Sequence, residues 1–199
     1  MKQRNILIAG AGSAGTMMAN HLKRKLNHHE WKITIVDEAT THYYQPGFLF
    51  LPFGIYDEHE IQKPITKYIP DDVDFINTAI DKIEPERNVL TLINGAELPY
   101  DILIIASGCS IAPEETPGMK DKLWYKDIFD FYSFDGAKAL HDKLKNWEGG
   151  RLAIHITEMP IKCPVAPLEF AFLADDFFKH KGMRDEVEIT YITPLSGAF

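Results

Sequence analysis

Two short stretches hold residues whose types and spacing could do chemistry. Gly10 to Gly15, "GAGSAG", spaces its glycines as G-x-G-x-x-G, and Met159 to Pro167, "MPIKCPVAP", sets a cysteine among prolines. The first stretch suits a phosphate. Gly10 permits a tight turn, Gly12 lets a pyrophosphate approach the backbone beside the N–H groups of Ser13 and Ala14, and Gly15 lets the following helix pack close to its strand. Asp37 stands 22 residues after Gly15, where it can accept a hydrogen bond from an adenosine ribose hydroxyl, with Glu38 as the fallback. The second stretch offers a thiol. It lies at the entrance of a helix beginning near Pro167, so the partial positive helix terminus and the ammonium of Lys162 both favour the nucleophilic thiolate of Cys163. A small buried hydrophobe is the plainer reading of a lone cysteine.

Around the glycines, the pattern fits a βαβ unit. "RNILIA", Arg4 to Ala9, is a short apolar strand, Ser13 to Leu26 has helical period, and "WKITIV", Trp31 to Val36, is a second strand. A parallel sheet covered by helices follows from that order. From Val73 the segments "VDFINTAIDKI", "NVLTLI" and "AELPYD" predict a small antiparallel meander, with Asn94-Gly95 as its hairpin turn. "DILIIASG", Asp101 to Gly108, is apolar enough for a strand buried on both faces, and the proline-rich "APEETPG" reads as a linker.

Beyond the linker, Asp135 to Trp147 predicts a helix with Asp135 as its cap and Gly149 as its stop, followed by a strand at "RLAIHIT". A second helix over Pro167 to Lys181, ending at Gly182, leads to a further strand, "VEITYIT". Its apolar residues from Leu168 to Phe178 occupy more than one face, which predicts burial. Two strands make too small a parallel sheet to cover itself, so the second domain reads as incomplete.

Composition narrows the class. The chain has 199 residues, 45% hydrophobic and 25% charged, with a formal charge of −8. An acidic chain without a Lys/Arg block is a poor partner for nucleic acid. No export signal and no run of ~18 uninterrupted apolar residues is evident, which points to a cytoplasmic protein with peripheral contact on the cytoplasmic membrane left open. Two cysteines are too few for a disulfide scaffold. The histidines, His28-His29 included, show no metal spacing.

The glycine motif alone does not separate FAD from NAD. The order of motifs does more. A proline-punctuated aromatic loop, "HYYQPGFLFLPFGIY", then a meander ending in "DILIIASG", resembles the FAD domain of the two-dinucleotide-fold flavoproteins of the disulfide-reductase superfamily. By that resemblance Ser107 and Gly108 pass beside the flavin nucleotide, the backbone of Ala79 meets the adenine, and Gln45, Pro46 and Gly47 lie nearest the flavin. The aromatics of that loop read either as a membrane- or quinone-contacting surface or, as preferred for Phe48, Phe50 and Phe53, as core.

Where such flavoproteins carry a second glycine motif for NAD(P)H, this chain has "EMPIKCPVAP", without glycine. Side chains and prolines there obstruct a pyrophosphate. "CPVAPLEFAF", together with "GAGSAG", "YYQPGFLFLPFG" and "ASG", resembles sulfide:quinone oxidoreductase and the flavoprotein subunit of flavocytochrome c sulfide dehydrogenase. The resemblance implies that Cys163 is one of two redox cysteines, taking sulfur from sulfide and passing electrons to FAD and then quinone. The second redox cysteine and the membrane-docking segments of that family lie further downstream. Cys109 is the only other thiol in this chain, and a packed structural role is expected for it. Glu169 could assist proton transfer, although a helix-surface carboxylate is the plainer reading.

The sequence thus predicts an α/β protein. Residues 1–112 form a Rossmann-like FAD-binding domain with an antiparallel β-meander, and 113–199 form an incomplete second Rossmann-like domain lacking the NAD(P)H glycine motif. The expected cofactor is FAD, the expected substrates are sulfide and quinone, no metal is assigned, and homo-oligomerisation is left open. The alternatives are a type II NADH dehydrogenase-like flavoprotein and a non-catalytic FAD-binding fragment.

Overall fold

The computed structural model describes residues 3–197. The chain divides into two compact units, Met1–Tyr44 with Gln62–Ser110, and Gln45–Ile61 with Ile111–Phe199. Gln45–Ile61, expected in the first domain, groups with the second unit.

In the first unit, β1 (Arg4–Ala9), α1 (Ser13–Lys25) and β2 (Trp31–Asp37) form the expected βαβ element. β3 (Thr41–Tyr43) and β4 (Gln62–Pro64) make a short antiparallel pair. β5 (Asp74–Asn77) pairs in parallel with β2, and β9 (Ile102–Ile105) pairs in parallel with β1, giving a four-stranded sheet in the order β5-β2-β1-β9. Between them β6 (Ile80–Glu84), β7 (Val89–Leu92) and β8 (Glu97–Pro99) form an antiparallel meander. "VDFINTAIDKI" is thus two strands of different sheets, because the chain turns at Thr78-Ala79 once β5 has joined β2.

The alternation of side chains along β1 explains its burial. Ile6 and Ile8 face a core with Ala19 of α1, Ile33 and Ile35, while Leu7 and Ala9 face Val36 and the meander residues Leu90 and Leu92. Both faces of the central strand are covered, as a parallel sheet requires, and each fully buried Ile or Leu contributes about 1.5–3 kcal/mol. β9 departs from expectation. It is an edge strand, with Ile102 43% and Ile105 66% exposed, so its apolar run is not buried on both faces.

The second unit holds α2 (Gly47–Phe50), α3 (Phe134–Asn146), β10 (Gly150–His155), α4 (Ala166–His180) and β11 (Val187–Ile192). β10 and β11 pair in parallel, with α4 as the connection. Ser133, not Asp135, caps α3: its Oγ accepts from the Gly136 N–H at 3.1 Å, and Asp135 falls in the first turn. A serine hydroxyl reaches the free N–H groups from the position before the helix, which a residue already inside it cannot do.

α4 ends as the glycine predicts. Gly182 adopts φ +68°, its N–H donates to Lys179, and the Met183 N–H reaches back to Phe178, which satisfies the last carbonyls. Phe170, Ala174 and Phe178, spaced by four, are buried in one cluster with Leu49, Phe53, Leu140, Leu144, Ile154 and Val187. Phe172 does not follow the expected burial and is 69% exposed. Phe48 and Phe53 are buried and Phe50 packs against this cluster, so the aromatic loop after Tyr44 supplies core to the second unit. Lys138 of α3 donates to Glu58 at 2.5 Å, a further tie of Gln45–Ile61 to this unit.

Candidate functional site

The glycine turn sits where the strand order reverses, since the chain leaves β1 toward β2 on one side and returns to β9 on the other. A crevice at the carboxyl ends of the strands is the expected ligand position in such sheets. Gly10 has φ +105°, and a Cβ there would lie 2.4 Å from the Ala106 carbonyl oxygen and 2.9 Å from Ser107 Cα. A Cβ on Gly15 would lie 1.8 Å from the Gly10 carbonyl oxygen. These two glycines are imposed by the contact of β1, α1 and the "ASG" turn with one another.

Gly12 differs, because a Cβ there would meet nothing within 4 Å. It is the N-cap residue of α1, with no side chain capping the helix, and the first intrahelical bond is Thr16 N–H to Gly12. The N–H groups of Ser13, Ala14 and Gly15 precede that bond at the positive end of the helix dipole, beside open space. That cradle fits a pyrophosphate.

Asp37 ends β2, and both of its carboxylate oxygens accept from backbone N–H groups. Oδ2 accepts from the Ala11 N–H at 2.6 Å and Oδ1 from the Ala39 N–H at 2.8 Å. Glu38 is exposed. The Asp37 carbonyl accepts from the Thr78 N–H at 3.0 Å, which brings the turn carrying Ala79 to the same end of the sheet, and the Ala79 carbonyl itself accepts from Ile93 at 3.1 Å. Ser107 and Gly108 follow β9, whose Ile105 pairs with Ala9. The first unit thus collects Gly10, Gly12, Ser13, Ala14, Gly15, Asp37, Glu38, Ala79, Ser107 and Gly108 at the carboxyl edge of one sheet.

The remaining candidates belong to the second unit. Cys163 is exposed and adopts φ +50°, the left-handed region, although it is neither glycine nor asparagine. That conformation costs about 1–2 kcal/mol and persists only where surroundings impose it. The Cys163 carbonyl accepts from the Ala166 N–H at 3.0 Å, so the turn runs directly into α4. Lys162 donates its ammonium to Gln45 Oε1, which joins the loop before α2 to the cysteine turn. Pro46 opens α2, and the Gln45 carbonyl accepts from the Phe48 N–H at 3.0 Å. Glu169 is exposed in the first turn of α4.

Tyr132 was not indicated by the sequence. Its hydroxyl donates to the Cys163 carbonyl at 3.2 Å. Burial, and then the charge of Cys163, push its pKa up to about 12, so it stays protonated and remains a donor. The residues are 31 apart, and no periodicity or motif links them. Cys109 was expected to be packed, but it is exposed in the irregular segment that follows β9. Neither cysteine is in a disulfide. Among the described residues, no group of three or more His, Cys, Asp or Glu is placed to hold a metal, and no helix is long and apolar enough to cross a membrane.

A parallel sheet in this order, with a glycine turn at its switch point, places the first unit in the Rossmann class of α/β folds. The sequence profile of the pyridine nucleotide-disulphide oxidoreductases matches residues 4–154, and the chain belongs to that family. It is 27% identical over 187 residues to the mitochondrial sulfide:quinone oxidoreductase of Dictyostelium discoideum, covering 94% of this chain and 41% of the relative. Similarity to the type II NADH:quinone oxidoreductase of Staphylococcus haemolyticus is 29% over 154 residues, covering 75% and 37%. The crystal structure of the Aquifex aeolicus sulfide:quinone oxidoreductase superposes with a TM-score of 0.77 at 23% identity, covering 96% of this chain and 43% of that one, which shows a shared fold. The chain spans less than half the length of these relatives.

Proposed function

We propose that this chain belongs to an FAD-dependent oxidoreductase that oxidises sulfide at Cys163 and passes the electrons to a quinone. FAD would rest its pyrophosphate on the Gly12 cradle and the N-terminus of α1, with its adenosine ribose near Asp37 and Glu38 and its adenine near Ala79. Ser107 and Gly108, which follow β9 in the same unit, would line the rest. Bound FAD would accept the two electrons that sulfide loses on becoming a zero-valent sulfur.

One observation carries the reading. At the start of α4, where a second pyrophosphate turn would need glycine, the chain places an exposed thiol in a left-handed turn followed directly by Pro164. A turn without glycine gives a pyrophosphate no close approach to the backbone, and its prolines supply no N–H donor. The similarity to sulfide:quinone oxidoreductases over 94–98% of the chain supports the same assignment. Similarity to a type II NADH:quinone oxidoreductase keeps NADH as the competing donor.

Anaerobic titration of the full-length, flavin-loaded protein separates the two. Sulfide is expected to bleach the flavin absorbance, NADH is not, and Cys163→Ser is expected to lose the sulfide response. Bleaching by NADH with no response to sulfide would overturn the reading.

A further inference from the structure

We infer that Tyr132 is a positioning residue for the thiol turn, its hydroxyl holding the Cys163 carbonyl and thereby the left-handed backbone that presents the sulfur. The inference rests on the sulfide reading above. Three observations support it.

The first concerns the peptide unit that joins Cys163 to Pro164. Proline has no N–H, so the carbonyl is the only group through which that peptide can be hydrogen-bonded. It has two partners, the Ala166 N–H at 3.0 Å and the Tyr132 hydroxyl at 3.2 Å. Ala166 belongs to the same turn and moves with it. Tyr132 is the partner supplied from elsewhere in the chain.

The second concerns what holds Tyr132. Its own N–H donates to Asp130 Oδ1 at 2.9 Å, and the same oxygen accepts from the Ser133 N–H at 2.7 Å. Its ring stacks on Phe131 at 5.1 Å, and Phe131 stacks on Phe170 of α4 at 4.6 Å. The hydroxyl is therefore delivered from the frame that carries the helix beginning just beyond the cysteine.

The third concerns need. At φ +50° Cys163 lies outside the regions its side chain prefers, so an external restraint is required to keep it there. Released, the residue can return to negative φ, and its Cα–Cβ bond then points elsewhere. Because the phenol titrates far above neutrality, the restraint holds throughout the working range.

The test uses the full-length, flavin-loaded protein with Cys109→Ser. Tyr132→Phe keeps the ring and removes one oxygen. Two readouts apply: the plateau rate constant of Cys163 alkylation by iodoacetamide at high pH, and steady-state sulfide oxidation. The plateau is expected to change at least threefold, and kcat to fall at least tenfold with KM for sulfide within threefold. A fluorinated tyrosine at position 132, whose phenol ionises several pH units lower, is expected to restore kcat at low pH and lose it as pH rises. It also serves where Tyr132→Phe fails to fold. Unchanged alkylation and unchanged kcat overturn the inference. Altered alkylation in a protein whose unmodified form oxidises no sulfide supports the clamp and overturns the sulfide reading instead.

Discussion

The carboxylate of Asp37, at the end of one strand, accepts from the backbone N–H of Ala11 in the turn after the neighbouring strand, at 2.6 Å. Ala11 is fully buried, so this N–H depends on that carboxylate for a partner. A hydrogen bond to a charged group contributes about 1.5–3 kcal/mol, and its loss leaves a buried donor unsatisfied. Asp37→Ala is expected to destabilise the protein by about 2 kcal/mol and to weaken FAD binding at least tenfold. Asp37→Asn, which keeps one acceptor, is expected to fall between. Denaturant unfolding and a flavin fluorescence titration measure the two effects; an alanine variant matching the parent in both would show that the bond is idle.

The glycine turn makes a sharper prediction, because its members are small for different reasons. Gly15→Ala drives a methyl to 1.8 Å from backbone, which cannot yield without separating α1 from β1. Gly12→Ala meets nothing within 4 Å, so it leaves the fold intact and fills only the space open to a pyrophosphate. Gly15→Ala should lower the melting temperature and recover poorly as folded protein. Gly12→Ala should melt within about 1 kcal/mol of the parent, the ordinary range for this change at a helix N-cap, yet lose at least tenfold in FAD affinity. Equal melting and equal flavin binding in both variants would remove the distinction.

Much of this was legible from local pattern. The βαβ unit around Gly10 to Gly15 declares itself because strand period, turn chemistry and helix period agree over one short stretch. Gly182 likewise marks the end of α4, since only local backbone geometry is involved. What escaped the sequence is long-range. The split of "VDFINTAIDKI" between two sheets depends on β2 being available as a partner for β5. The exposure of Ile105 depends on β9 standing at a sheet edge, and Tyr132 reaches Cys163 across 31 residues. Apolar runs reveal a strand but not its neighbours, and a hydroxyl that clamps a carbonyl leaves no spacing to read.

Tyr132 also sets a pH dependence. Burial raises its pKa from 10.0 to about 12, so the folded state holds this proton more tightly than the unfolded chain does. The unfolded state binds fewer protons between those two values, and stability there falls as pH rises. The contribution is fully present below about pH 10 and lost through about pH 12; two pKa units correspond to about 2.7 kcal/mol, which solvent screening of this half-buried phenol reduces to roughly 1–2 kcal/mol. Subtracting the ultraviolet titration of Tyr132→Phe from that of the parent isolates this phenol, and a midpoint near 10 would contradict its burial.

Phe178 is fully buried between Trp147, at 5.5 Å, and Phe177, at 5.3 Å, on the inner face of α4. Removing a buried phenyl ring leaves a cavity that close-packed neighbours refill only in part. Phe178→Ala is expected to cost about 3–5 kcal/mol, whereas Phe172→Ala, on the exposed side of the same helix, should stay within about 0.5 kcal/mol. Denaturant unfolding of the two variants compares them directly; similar losses from both would mean that α4 buries a different face.

The left-handed turn at Cys163 can be weighed without any reference to activity. Cys163→Ala and Cys163→Gly both remove the thiol, but alanine keeps the Cβ that disfavours φ +50° while glycine does not. Glycine also gains freedom in the unfolded chain, which offsets part of the relief. Since the left-handed penalty of about 1–2 kcal/mol exceeds that offset of about 0.4–1 kcal/mol, Cys163→Gly should be the more stable of the two, by up to about 1.5 kcal/mol. Thermal unfolding of the pair gives the sign. An alanine variant more stable than the glycine variant would place Cys163 in an ordinary turn, and the presentation of its sulfur would then need no restraint from Tyr132.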